Sequence, residues 1–207
     1  TYANIMKYLR MGTSSNFGNM LSMALASLVI PFLPMTAIQI LLNNLFYDMS
    51  ETGIPFDAVD EEDLVAPHNW NMSAILRFTA FMGPLSSIFD ISTFGLLLFV
   101  YHASPEAFRT AWFVESIMTQ VLVIFVIRTR LLPWRSRPHR ALVVTSLGAL
   151  AVALLLALGP LGPIFGFAAL PHTLLIWVVL LAAAYLVLAQ ILKRWAISPE
   201  PAAPAPV

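Results

Sequence analysis

No cysteine occurs among the 207 residues, and charge is scarce: Asp, Glu, Lys and Arg together make up 11%. The first absence excludes disulfides, thiolate metal sites and cysteine nucleophiles. The second excludes an ordinary soluble domain, in which about a quarter of the residues are charged. Eleven basic and eleven acidic residues cancel to zero net charge, which leaves no electrostatic basis for nucleic-acid binding. The four histidines, His68, His102, His139 and His172, share no metal-ligand spacing. There is no signal peptide with a small-residue cleavage site. The chain opens TYANIMKYLR without an initiator Met, as expected of a piece cut from a longer protein.

What is present is apolar. Hydrophobic residues make up 59% and the mean hydropathy is +0.81, the composition of a membrane protein. A membrane helix needs about 20 mostly apolar residues. On that basis the chain is expected to be an all-α membrane protein with six transmembrane helices, at about residues 17–33, 35–49, 75–101, 111–127, 141–158 and 173–192 of a membrane domain spanning 17–195. Pro31 and Pro34 mark a tight hairpin between the first two spans. Residues 1–16 have helical spacing, with Ile5, Tyr8, Leu9 and Gly12 on one stripe and no Pro before Val29. They are expected to extend the first span as a cytoplasmic stalk helix, the alternative being an amphipathic helix on the membrane surface. Residues 196–207 are Pro/Ala-rich and predict a disordered tail.

Basic residues set the orientation. Lys7, Arg10, Arg77, Arg128, Arg130, Arg135, Arg137, Arg140, Lys193 and Arg194 fall on one side of six spans, and Arg109 on the other. That side is the cytoplasm, and both termini lie there. The acidic run Asp57, Asp60, Glu61, Glu62, Asp63 reads as a solvated cytoplasmic loop, since a calcium loop needs alternating ligands and a glycine at its turn. The basic stretch 128–140 reads as an orientation signal that also meets anionic headgroups. The outer loop, 158–171, reads as plain turn chemistry.

Polar residues inside the spans are the functional candidates, because a charge at membrane depth costs about 2.5–3.5 kcal/mol on insertion scales. Asn16 and Asn19 are three apart and share a face, as do Asn44 and Asp48, four apart. Asn19 lies 15 residues before Pro34 and Asp48 14 after it, which predicts similar depth, roughly 21–23 Å from the turn at 1.5 Å per residue. Asp90, in GPLSSIFDISTF (83–94), is a second deep carboxylate. Asp48 and Asp90 would repel unless a cation or proton lay between them, so a two-carboxylate oxygen site suited to Mg²⁺ or Ca²⁺ is expected. Bland readings stand beside this. Gln39, Asn43, Gln120 and Gln190 read as interhelical glue worth about 0.6–2 kcal/mol each. Asn16 and Asn19 could be hydrated at the interface, Asp48 and Asp90 could be protonated structural carboxyls, and Glu115, near the outer surface, reads as interfacial or structural rather than part of an ion pathway.

The strings SSNFGN (14–19), IPFLP (30–34), NNLFYDMS (43–50), GPLSSIFDISTF and WFVESIMTQVLVIFVIRT (112–129) closely resemble the C-terminal membrane domain of P-type ATPases, nearest to the bacterial magnesium-translocating subfamily. The resemblance covers about residues 3–195, in order. It implies the last six of ten spans. In related calcium pumps, an SSNxGE string and an NLxTDG string supply cation ligands. Asn16, Asn44 and Asp48 match those positions, while Asn19 replaces the Glu and Tyr47 the Thr. These departures imply one cation site rather than two, with Asn19, Asp48 and Asp90 as ion-site residues beside Asn16 and Asn44. The resemblance further implies import of Mg²⁺ across a bacterial inner membrane. ATP would be used only through domains outside this stretch, which lacks the DKTGT and TGE motifs. The partners it implies are the rest of the same pump and the bilayer, including anionic lipid. Rival readings are another P-type ATPase membrane domain, for H⁺ or Ca²⁺, and a non-enzymatic membrane scaffold.

Overall fold

The structure is a computed structural model and describes residues 2–59, 72–129, 132–133 and 135–196. These fold into helices throughout: α1 (Tyr2–Val29), α2 (Ala37–Glu51), α3 (Met72–Gly95), α4 (Pro105–Ile127), α5 (Arg140–Leu158) and α6 (His172–Ala196). Short 3-10 turns cover Ile54–Phe56 and Gly162–Phe165, and α3 runs on into a π turn over Leu96–Val100.

Local chemistry fixes the helix starts. At α2, Thr36 and Gln39 form a capping box: Gln39 N–H donates to Thr36 Oγ1 and Thr36 N–H to Gln39 Oε1. Ser104 caps α4 by accepting from Ala107 N–H, with Pro105 in the first turn. His139 caps α5.

The central element is α4. It touches α1, α2, α3, α5 and α6, and all but one residue from Thr110 to Val121 is buried. The tightest pair is α1 against α3. Small residues let these backbones approach: a Cβ on Gly18 would lie 3.1 Å from Gly83 O, and Ser87 Oγ donates to Gly18 O at 3.0 Å.

Among the described residues, four helical segments are long and apolar enough to cross a membrane: Met72–Val100, Pro105–Ile127, Arg140–Leu158 and His172–Ala196. The first two helices fall short of the six spans expected, for different reasons. α1 is long but carries many polar residues, and α2 has only 15 residues.

Three loop expectations are corrected. Asp57 is not solvated. It is buried, and its Oδ2 accepts from Lys7 Nζ at 3.0 Å and Arg128 Nη1 at 3.2 Å. Its Oδ1 accepts from His139 N–H. Arg128 is thus a buried ion-pair partner, 2% exposed, rather than a headgroup contact. The outer loop is more than a turn, since Gln39 Nε2 donates to Gly166 O and Ala168 N–H to Thr110 Oγ1. Asp60, Glu61, Glu62, Asp63, Arg130 and the tail from 197 lie outside the described residues.

Candidate cation site

Asn16 and Asn19 of α1 and Asn43 and Asn44 of α2 line one cavity of about 620 Å³. Trp112 of α4 closes one wall, and Met20, Met23, Met35 and Ile40 supply apolar surface. Spacing explains the convergence, because residues three or four apart on a helix share a face. Ser116 is the hub that fixes the amides. Its hydroxyl donates to Asn19 Oδ1 at 3.3 Å and accepts from Asn43 Nδ2 at 3.1 Å. Gln120 Nε2 contacts both Asn43 Oδ1, at 3.1 Å, and Ser116 Oγ. Asn43 and Gln120 therefore join α2 to α4, whereas Gln39 caps its own helix and donates to Gly166 O of the outer loop, and Gln190 Oε1 is buried without a partner.

Asp48 does not share that cavity. It is exposed and lines a second cleft of about 410 Å³ with Asn4, Ile5 and Tyr8 of α1 and Glu51, Thr52 and Pro55. Asn44 opens on one cavity and Asp48, one turn further along α2, on the other. Counting from Pro34 misjudges this, because the helices do not meet at that proline. α1 ends at Val29, α2 begins at Ala37, and the facing of a side chain depends on rotation about the axis as well as on depth.

Asp90 is 1% exposed and lies behind the Trp112 wall. Trp112 Nε1 donates to its Oδ1 at 2.9 Å, and the Ser22 hydroxyl donates to its Oδ2. The expected Asp48–Asp90 pair is corrected: the carboxyl beside Asp90 is that of Glu115, with the Tyr185 phenol close to both. Of the interfacial and structural roles expected for Glu115, burial fits the structural one: it is 1% exposed, and its Oε2 has no hydrogen-bond partner. Sequence reading did not pair it with Asp90. The usable signal was its place three residues after Trp112, on the same face of the helix that packs against α3. Among the described residues no group of three His, Cys, Asp or Glu side chains is gathered to hold a metal. The donors are mainly amide and hydroxyl oxygens around scattered carboxylates, a set for a hard, partly hydrated ion rather than a resident metal.

At the end of α2, Glu51 lies two residues past the span expected for 35–49. Burial, with the Asp48 charge adding to it, pushes its carboxyl from the ordinary 4.5 up to about 7, against an opposing contribution from the Tyr47 hydroxyl.

Residues 32–195 match the family of the cation-transporting ATPase C-terminus. The chain is 42% identical over 198 residues to the magnesium-transporting ATPase, P-type 1, of Salmonella typhimurium strain LT2, and 41% identical over 198 residues to that of Escherichia coli K12. A second Salmonella typhimurium LT2 protein of the same description is 40% identical over 200 residues. These alignments cover 93–94% of this chain and 22% of each relative, so the chain spans about a fifth of the length of the curated proteins it matches.

Proposed function

Because the chain belongs to the cation-transporting ATPase C-terminal family, we propose that it is the membrane-domain part of an ATP-driven pump that carries Mg²⁺ into a bacterial cytoplasm. Six spans, both termini cytoplasmic and residues 2–16 as a stalk give the orientation that the basic residues favour. The remaining spans and the ATP-hydrolysing domains belong to the rest of the pump. The cargo ion is substrate, not cofactor.

The observation that carries the reading is the cavity where Asn16, Asn19, Asn43 and Asn44 converge. Mg²⁺ gives up its waters reluctantly and demands near-octahedral oxygen geometry. Neutral amide oxygens can replace one or two of those waters without holding the ion too tightly to release. Asp48 on the cleft side and Asp90 behind Trp112 place carboxyl groups at either flank. The test is Asn19→Ala in the full-length pump. It should raise the Mg²⁺ concentration needed to stimulate ATP hydrolysis at least tenfold. An unchanged requirement rejects the cavity as the ion site.

The buried Asp90–Glu115 pair favours a second reading, carriage of a proton. Stimulation of ATP hydrolysis by acid alone, in the absence of Mg²⁺ beyond that bound to ATP, would select this reading. Stimulation by added Mg²⁺ selects the first.

A further inference from the structure

We propose that Asn4, Asp48 and Glu51 form a second cation site, distinct from the amide cavity, that takes a hydrated divalent cation at the α1 start and α2 end. This rests on the reading of the chain as part of a divalent-cation pump.

All three residues line the cleft of about 410 Å³. Glu51 is 3% exposed, and its Oε1 has no hydrogen-bond partner. Asn4 is 8% exposed and its Oδ1 is likewise unpartnered. The orientation of the Asn4 amide is fixed. Its Nδ2 donates to Pro55 O at 3.0 Å and Asp57 O at 3.1 Å, and two carbonyl acceptors require the nitrogen there. Its oxygen is therefore the group left free beside the cleft. A buried acceptor without a donor is destabilising by about 1–3 kcal/mol. These two acceptors from different helices, beside the exposed carboxylate of Asp48, offer oxygens to a shared positive ligand, with the Tyr47 hydroxyl as the competing donor at Glu51.

Among the described residues that line the cleft, none is cationic. The nearby Lys7 ammonium is engaged by Asp57 Oδ2 at 3.0 Å and Ala58 O at 2.7 Å. Two carboxylates and an amide are hard oxygen donors, the set that Mg²⁺ and Mn²⁺ accept. A cleft of this volume leaves space for the ion to keep most of its waters. Asn44 and Asp48 are one helical turn apart, so an ion held here sits next to the amide cavity along the same seam.

The experiment is a Mn²⁺ titration of the nucleotide-free, full-length pump, read by electron paramagnetic resonance. Glu51→Gln should lose one bound Mn²⁺ per chain relative to wild type, and Asn4→Ala should weaken that same ion about tenfold. Asn19→Ala should leave it in place and remove a different one. If both Glu51→Gln and Asn4→Ala, folded by thermal melting, bind Mn²⁺ as the wild type does, the site is refuted. If either variant fails to melt cooperatively, the other decides alone. Loss in Glu51→Gln with full retention in Asn19→Ala would refute the amide-cavity reading and leave this site standing.

Discussion

Trp112 donates its indole N–H to Asp90 Oδ1 across 2.9 Å while the same side chain lines the cavity holding Asn16, Asn19 and Asn44. The amide cavity and the buried carboxylate are therefore one side chain apart. Trp112→Phe keeps an aromatic ring in its edge contact with Phe94 and deletes the donor. A hydrogen bond to a charged group contributes roughly 1.5–3 kcal/mol. The variant should melt earlier and need about tenfold more Mg²⁺ for half-maximal ATPase stimulation. In a double-mutant cycle with Asp90→Asn, the second substitution should cost less than it does alone. Additive effects would show that the bond does not couple the two.

Asp57 joins three parts of the chain that are far apart in sequence. Lys7 reaches it from α1, Arg128 from the end of α4, and His139 N–H from the start of α5. Removing one partner of a buried ion pair is destabilising by about 3–5 kcal/mol, because the other charges stay buried and unpaired. Asp57→Ala should lower the melting temperature of the full-length pump by several degrees or abolish expression. Since the group is buried, moderate salt should not change that difference. A salt-dependent loss would indicate a solvated pair.

The helices were legible because long apolar runs and the prolines at 31 and 34 act within a few residues of one another. The meeting of Asn16 and Asn19 with Asn44 was legible for the same reason, being a matter of spacing on two helices joined by a short turn. Glu115 was not legible. Its neighbour Asp90 lies on another helix, and periodicity along one helix does not say which face of the next it meets. Asp57 was missed on similar grounds: a carboxylate in an acidic stretch reads as solvated until Lys7 and Arg128 are brought to it by the fold. Asp48 shows the limit of depth counting, since depth leaves rotation about the axis open.

Two glycines should respond oppositely to alanine. A Cβ on Gly53 would lie 2.4 Å from Leu142 Cα and 2.7 Å from Leu142 N, so the α5 backbone itself would have to move. That shift would strain the bonds from Ser146 Oγ, at 2.9 Å, and Thr145 Oγ1, at 3.3 Å, to Ser50 O. Overpacking of this kind costs typically 1–3 kcal/mol. Gly148, within α5, has nothing within 4 Å of its would-be Cβ, and Gly→Ala inside a helix gains roughly 0.5–1 kcal/mol. Thermal melting of Gly53→Ala and Gly148→Ala should move in opposite directions. A stabilised Gly53→Ala would contradict the α2–α5 packing.

Glu51 gives the folded chain a pH-dependent stability with a definite sign. Its carboxyl is held at about 7 in the folded chain against an ordinary 4.5. The folded state thus binds this proton more tightly than the unfolded state does. The associated stability is fully present below pH 4.5 and is lost as pH rises through about 7. In the absence of divalent cations, the melting temperature of the wild type should fall between pH 5 and pH 8 relative to Glu51→Gln, which has no proton to lose. The difference should close when Mg²⁺ is added at pH 8, because a bound cation replaces the lost proton as the partner of Glu51 and Asp48. A wild-type melting temperature that instead rises with pH relative to Glu51→Gln would show that the carboxyl is already ionised and paired.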